Sequence, residues 1–162
     1  MCHFKDWHKT PQTASEPCYI VFVPETSLMT TEVLLYTECL VEALDADYRL
    51  HTVKSHQRDA TDSYHQRCLS EIREGTYDYR MSFYIVESRK YLRIEQETGV
   101  NHDGSIKQKF IHAFIDKTTG SVLKPSSWKS PAKGVRYNLM DSVSRENCFR
   151  SADWAGSYLY MR

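Results

Sequence analysis

The stretch "YDYRMSFYIVESRKYLRIEQE" (Tyr77–Glu97) decides the fold, because its apolar residues recur at every second position. Met81, Phe83 and Ile85 fall on one face of an extended chain, and a second alternation follows the polar break "SRK". A period of two is typical of β-strands that bury one face. The stretch therefore predicts the first two strands of an antiparallel sheet.

The alternation continues downstream in "SIKQKFIHAFID", and the turn "DKTTG" leads into a returning strand "SVLK". Gly120 ends this turn, where a left-handed backbone closes a bulged hairpin. Residues 76–124 are thus expected to form an antiparallel meander of about four to five strands. The face predicted to meet the helices consists of Met81, Phe83, Ile85, Leu92, Ile94, Phe110 and Phe114.

In the first part of the chain, the apolar residues are spaced differently. "CYIVFV" (Cys18–Val23) is typical of a buried strand, and "TTEVLLYTECLVEALDADY" has apolar residues at helical spacing, with Thr30 or Thr31 as a cap. The alternating "YRLHTV" predicts a short strand over Tyr48–Val53. A second helix follows in "DATDSYHQRCLSEIREG", where Gly75 provides a C-terminal stop.

The order of these elements indicates an α+β fold, with an antiparallel meander sheet and two to three helices on one of its faces. We expect a single domain over residues 1–162. Its parts are a flexible lead (1–17), a strand and two helices (18–75), the sheet (76–124), a basic arm (125–140), and a short helix near Ser142–Arg150 with an aromatic tail (141–162).

Composition narrows the class of protein. The chain has 162 residues, and no apolar run approaches the length of a membrane span. The first residues lack the apolar segment of a secretory signal, so a cytoplasmic location is expected. Five widely spaced cysteines predict neither a disulfide framework nor a zinc site. Cys2, His3 and His8 are too few for a tetrahedral metal site, and no cofactor is predicted.

No catalytic constellation is evident. The chain lacks a phosphate-binding glycine loop, a metalloprotease helix and a nucleophile elbow. His112 lies in mid-strand between Ile111 and Ala113, which favours a core histidine over a catalytic one. We therefore predict no catalytic residue.

The net charge of zero hides an uneven distribution. Residues 1–104 contain 11 Lys or Arg against 17 Asp or Glu, whereas residues 105–140 contain seven cations against Asp116 alone. A local positive field can attract a polyanion even when the total charge is zero.

The basic arm and the residue before it contain "KPSSWKSPAKGVRYN" (Lys124–Asn138), which combines cations, aromatic residues and prolines without an acid. Lysines and arginines neutralise phosphates, the serine hydroxyl and N–H groups position them, and flat aromatic rings stack on unpaired bases. The predicted partner is therefore single-stranded DNA or RNA. The predicted nucleic-acid-binding residues are Lys107, Lys109, Lys124, Trp128, Lys129, Lys133, Arg136 and Tyr137.

Two alternatives remain open. Trp128 could instead be buried in the core, which would make the arm purely structural. The first helix, Thr31–Asp47, could bind a basic host or phage protein through Glu32, Glu38, Glu42 and Asp45, or pack against the arm of a second copy. A protein-binding module of this kind would inhibit a host defence factor or belong to the virion.

The segment from Arg89 to Met140 resembles a group of small uncharacterised proteins of tailed bacteriophages. Their shared pattern is close to "HxFxDxxTGxVxKxxSWKxPAKxxRxN", which is present here from His112 to Asn138. The resemblance covers about a third of the chain and implies a phage gene acting in an infected bacterium. It implies no activity, and residues 1–75 lie outside it.

Overall fold

The computed structural model describes residues 25–100 and 105–160. The helices are α1 (Glu25–Arg58), α2 (Ser63–Glu74) and α3 (Ser142–Ser151), and a 3-10 turn covers Ser157–Leu159. The strands are β1 (Met81–Glu87), β2 (Tyr91–Val100), β3 (Ile106–Asp116), β4 (Ser121–Pro125) and β5 (Pro131–Asn138). The expected strand Cys18–Val23, the lead over residues 1–17 and the group Cys2, His3 and His8 lie outside the described residues.

The sheet is an antiparallel meander with the strand order β1-β2-β3-β4-β5. The helices pack on one of its faces, with α1 against β1 and β2, and α3 against β5. The α+β prediction is therefore confirmed, as are α2 with its stop at Gly75 and the short helix that begins at Ser142. Among the described helices, none is long and apolar enough to cross a membrane.

The inward face of α1 forms one side of the core. Val33, Leu40 and Leu44 are fully buried and follow helical spacing. Thr37 lies on the same face, and its hydroxyl donates to the carbonyl of Val33 at 2.7 Å, so this buried polar group has a partner. The facing side of the core comes from the sheet and the C-terminal segment, with Phe83, Leu92, Ile94, Ala113, Ile115, Val122, Leu139, Cys148, Tyr158 and Leu159.

The strand predicted over Tyr48–Val53 is wrong, because these residues continue α1. Tyr48 and Thr52 are one helical turn apart, and the Thr52 hydroxyl donates to the Tyr48 carbonyl at 2.9 Å. The Tyr48 ring packs edge-on against Trp154, at 5.9 Å between ring centroids. The residues extend the inward face of the helix, and this tertiary packing outweighs a short local alternation.

A β-bulge changes the predicted core face of the sheet. Ile94 pairs with Ala113, but the next residue, Glu95, pairs with Ile111, so His112 is an extra residue on β3. Phe110 therefore shares the helix-covered face, whereas Phe114, which pairs with Arg93, lies on the opposite face. The prediction that Phe114 faces the helices is wrong, because strict alternation fails at a bulge.

The basic arm is not a free extended segment. Its second half forms β5, which pairs with β4 through Val122–Tyr137, Leu123–Val135 and Pro125–Pro131. The register shifts twice along this pair. Bulges on an edge strand of this kind discourage pairing with a foreign strand. The hairpin of Ser121–Asn138, here called the basic hairpin, places the arm at one edge of the sheet.

Candidate nucleic-acid interface

The tip of the basic hairpin is held by serine residues. Pro125 and Pro131 face each other at the ends of the strands and have no N–H groups to exchange. The N–H groups of Ser126 and Ser127 instead donate to the carbonyl of Ser130, both at 3.0 Å. The Ser127 hydroxyl also accepts the N–H of Ser130, at 3.2 Å. The tip therefore has a defined backbone, and the two N–H groups that we expected to position phosphates are already engaged.

Trp128 lies at this tip and is 45% exposed. Its ring has no aromatic neighbour in the described part of the chain, so the indole is not a core plug. Lys129 follows it directly, is exposed, and has no ion-pair partner among the described residues. An exposed ring and a cation without an ion pair thus occupy consecutive positions of a hydrogen-bonded turn.

Lys133 and Arg136 extend the positive charge along β5. Lys133 is exposed and precedes Gly134, whose φ of +94° marks an irregular part of the strand. The Arg136 side chain lies back against Gly134, and its Nε atom is buried without a hydrogen-bond partner. Neither cation has an ion-pair partner within residues 25–100 and 105–160. Both charges are therefore available to an anionic ligand. Lys133 is the more accessible of the two, because it is the more exposed.

Lys124 and Tyr137 have protein partners. The Lys124 ammonium lies 3.8 Å from the centroid of the Tyr160 ring, at a distance typical of a cation–π contact. The Tyr137 ring stacks on Tyr158 at 5.9 Å, and its hydroxyl pairs with that of Ser151 at 3.0 Å. Tyr137 belongs to the packing between the sheet and the C-terminal segment, so Trp128 is the stacking residue that the hairpin offers to solvent.

Lys109 belongs to a polar network on the face of the sheet opposite the helices. Its ammonium contacts Glu97 at 2.5 Å and the Tyr84 hydroxyl at 3.2 Å. On the same face, Arg93 pairs with Glu95 at 2.9 Å. The opposite charges in this network offset each other, so Lys109 adds little to the positive field. Lys107 lies on β3, and its side chain is outside the described part of the structure.

The network also shifts the acidity of its members. Burial, followed by the hydrogen bond to Glu97, raises the pKa of Tyr84 to about 12. Hydrogen bonds from Lys109 and Tyr84 lower the pKa of the Glu97 carboxyl. The tyrosine therefore remains protonated and the carboxylate charged at neutral pH, which is typical of a structural network rather than of an acid–base pair.

A cleft of about 330 Å³ lies between β3 and the C-terminal segment, next to the basic hairpin. Pro125 of β4 forms part of its wall, and this residue precedes Trp128 by three positions in the chain. His112 lines it from the sheet, and Tyr160 lines it from the C-terminal segment. The ring of Tyr160 that Lys124 contacts is thus also a wall of the cleft.

Residues 16–161 match the model of a family of unknown function (DUF7717). The chain belongs to this family. Comparisons with curated proteins and with solved structures gave no match. Membership of DUF7717 covers nearly the whole chain, but it assigns no activity.

In this DUF7717 protein, the acidic residues of α1 divide into two groups. Glu32, Glu38 and Glu42 are exposed, and within the described residues they form no ion pair. Asp45 instead is only partly exposed, and burial raises the pKa of its carboxyl against the opposing effects of Arg49 and of the Phe83 backbone. The outward acidic surface is therefore smaller than the sequence suggested.

The cleft and its exposed rings were not indicated by the sequence. Phe110 was predicted to face the helices but is 49% exposed, and Tyr160 of the aromatic tail is 62% exposed. The pattern of large aromatics near the C-terminus was visible, but not which of them stay uncovered. In the described ranges, no three His, Cys, Asp or Glu side chains are grouped closely enough to hold a metal ion.

Proposed function

We propose that this protein is a non-catalytic phage accessory protein that binds single-stranded DNA or RNA in the cytoplasm of the infected bacterium. The observation that carries the proposal is the exposure of Trp128 beside Lys129 at the tip of the basic hairpin. If the indole were buried, the arm would be structural, and its lysines would simply surround the buried ring. An exposed indole next to unpaired cations is the combination with which proteins bind single strands without reading their sequence.

The charges around the tip support the same proposal. Lys129, Lys133 and Arg136 have no carboxylate partner in the described part of the chain, whereas Lys109 is paired with Glu97. Free cations gain more from a phosphate than paired ones, because no internal ion pair has to be broken. We therefore assign phosphate contact to Lys124, Lys129, Lys133 and Arg136, and base stacking to Trp128.

The test is binding of fluorescent poly-dT and poly-rU oligonucleotides, followed by anisotropy at low salt. Trp128→Ala should weaken binding about tenfold, since one stacked base is worth roughly 1–3 kcal/mol. The matched control is Tyr64→Ala, because Tyr64 is also 45% exposed but lies on α2. Equal affinities of Trp128→Ala and the wild-type protein would remove the stacking role.

A second candidate function is protein recognition through the outward face of α1. Leu35 is 53% exposed there, and its spacing places it on the same helix face as Glu38 and Glu42. An apolar side chain flanked by unpaired carboxylates suits a basic protein surface, such as that of a host defence factor, a virion protein or the basic hairpin of a second copy. The last case is directly testable by light scattering: Glu38→Gln with Glu42→Gln should abolish any salt-sensitive dimer.

A further inference from the structure

The cleft beside the basic hairpin has the volume and lining of a site for one planar ring system. Its volume of about 330 Å³ lies at the small end of the range for ligand sites. Phe110 and Tyr160 lie in its lining and leave 49% and 62% of their surfaces exposed. Aromatic rings left open at a concave site are available for stacking on a flat ligand.

The floor of the cleft contains a histidine held in a fixed orientation. The His112 Nε2 atom is 3.2 Å from the Tyr158 hydroxyl, and the two rings are stacked at 5.7 Å. On the other side, Phe83 packs edge-on against the imidazole at 5.2 Å. The backbone of Gly156 also lies close, because a Cβ there would be 3.4 Å from the imidazole Cε1. The ring therefore cannot turn freely.

The second ring nitrogen of His112 has no hydrogen-bond partner among the described residues. Burial lowers the pKa of the imidazole to about 4, with Asp153 opposing the shift, so the ring is neutral at physiological pH. A neutral imidazole nitrogen and the nearby Gln96 amide can each bond the polar edge of a heterocycle. None of the residues that line the cleft carries a carboxylate.

A cation lies against one wall of the cleft. Lys124 of β4 contacts the Tyr160 ring, and its neighbour Pro125 forms part of the wall. A ring system that enters the cleft would thus have an ammonium group beside it and the basic hairpin directly beyond. A neutral stacking site with a cation at its edge matches a nucleotide, whose flat base is joined to an anionic phosphate.

We infer that the cleft takes one unstacked nucleobase of the bound strand, with its phosphate on Lys124. This inference rests on the proposed function and goes further, because it names a base-binding site that the sequence did not indicate. Trp128 would then stack on a second base, a few nucleotides along the strand.

The test fills the cleft without touching the hairpin. Ala155 lines the cleft and is exposed, so Ala155→Leu should occupy the space of the base while leaving the core unchanged. Ser157→Leu is the matched control, because Ser157 is exposed in the same segment but outside the cleft lining. Both variants are first compared with the wild-type protein by thermal unfolding.

Affinity is measured for an oligonucleotide of roughly ten residues and for versions with one abasic position. We expect Ala155→Leu to lose about tenfold in affinity and to become insensitive to the abasic position that weakens the wild-type complex. Ser157→Leu should behave as wild type. If Ala155→Leu binds as tightly as wild type while Trp128→Ala does not, the cleft is not a base site, although the proposed function stands.

A second measurement separates the two hypotheses when no oligonucleotide binds. Nucleoside 5′-monophosphates are titrated at millimolar concentration, and backbone NMR shifts are followed at Ile111–Ala113 and at Gly156. Saturating shifts that disappear in Ala155→Leu would support a nucleotide cleft and contradict only the strand-binding function. An absence of shifts in a protein that binds no oligonucleotide would overturn both.

Discussion

The imidazole of His112 and the hydroxyl of Tyr158 meet in the core at 3.2 Å, although 46 residues separate them in the chain. His112 is the extra residue of the β3 bulge, and Tyr158 belongs to the 3-10 turn that closes the structure. This contact joins the sheet to the C-terminal segment, and its histidine lines the cleft.

Burial of His112 makes the stability of the protein depend on pH. Burial lowers the pKa of His112 from 6.5 to about 4. The unfolded chain therefore takes up this proton at a higher pH than the folded protein does, and stability falls as the pH is lowered from about 6.5 towards 4. The expected loss is about 3 kcal/mol over this range, measured by urea unfolding at a series of pH values.

The variant His112→Gln isolates this effect. Glutamine keeps a hydrogen-bonding group near Tyr158 but does not titrate, so the dependence of its stability on pH should be flatter between pH 4 and 6.5. Carboxylates that do not act on His112, unlike Asp153, contribute equally to both proteins. Parallel curves of stability against pH for the wild-type protein and His112→Gln would contradict the assignment of this pH dependence to His112.

Two glycines with similar backbone angles provide a matched test of the turn between β3 and β4. Gly120 and Gly75 have φ values of +69° and +73°. A Cβ at Gly75 would meet nothing within 4 Å, whereas at Gly120 it would lie 2.7 Å from the Met140 Cγ. Gly75→Ala should cost about 1 kcal/mol from backbone strain, and Gly120→Ala at least about 2 kcal/mol.

Chemical unfolding of the two variants measures this difference. Gly120 is also tied into the sheet, because its carbonyl accepts the N–H of Leu139 at 2.9 Å and limits the local adjustment. Losses of equal size in both variants would show that the turn relaxes around the added methyl group.

The cysteines should differ sharply in reactivity. Cys148 is fully buried, and burial raises the pKa of its thiol to about 12, whereas Cys39 is partly exposed. Because the thiolate is the reactive form, iodoacetamide should label Cys39 in the native protein and Cys148 only on unfolding. Peptide mapping by mass spectrometry gives the rate for each site. Labelling of both at one rate would contradict the packing of α3.

Much of the sheet could be predicted from the sequence, because period-two alternation over β1 and β2 reports directly on a half-buried surface. The strand prediction over Tyr48–Val53 was wrong because the length of α1 was underestimated. An alternation of six residues fits both a strand and a helix whose inward face continues. The orientation of Phe114 could not be predicted either, because the bulge at His112 depends on pairing with β2.

The candidate site was predictable only in part. The cations and Trp128 stand out as a group in the sequence, but their exposure depends on how the Ser127–Ser130 turn projects from the sheet. Tyr137 and Lys109 have suitable side chains yet are engaged by Tyr158 and Glu97, partners that lie far away in the chain. The cleft combines residues from β2, β3, β4 and the C-terminal segment, so no local pattern indicates it.

The central claim is that the basic hairpin holds single-stranded nucleic acid through phosphates and one stacked base. The salt dependence of binding tests it most directly, because each phosphate contacted on a single strand contributes about −0.7 to the log–log slope of affinity against salt. Lys124, Lys129, Lys133 and Arg136 together predict a slope of about −3.

The decisive comparison replaces two of these cations. Lys129→Ala with Lys133→Ala should make the slope shallower by about 1.4, whereas Trp128→Ala should lower affinity at an unchanged slope. Lys54→Ala with Arg58→Ala is the control for net charge, since both residues are exposed on α1. A folded wild-type protein that binds neither single-stranded DNA nor RNA at low salt would contradict this mode of binding. So would a control pair that makes the slope as shallow as Lys129→Ala with Lys133→Ala does.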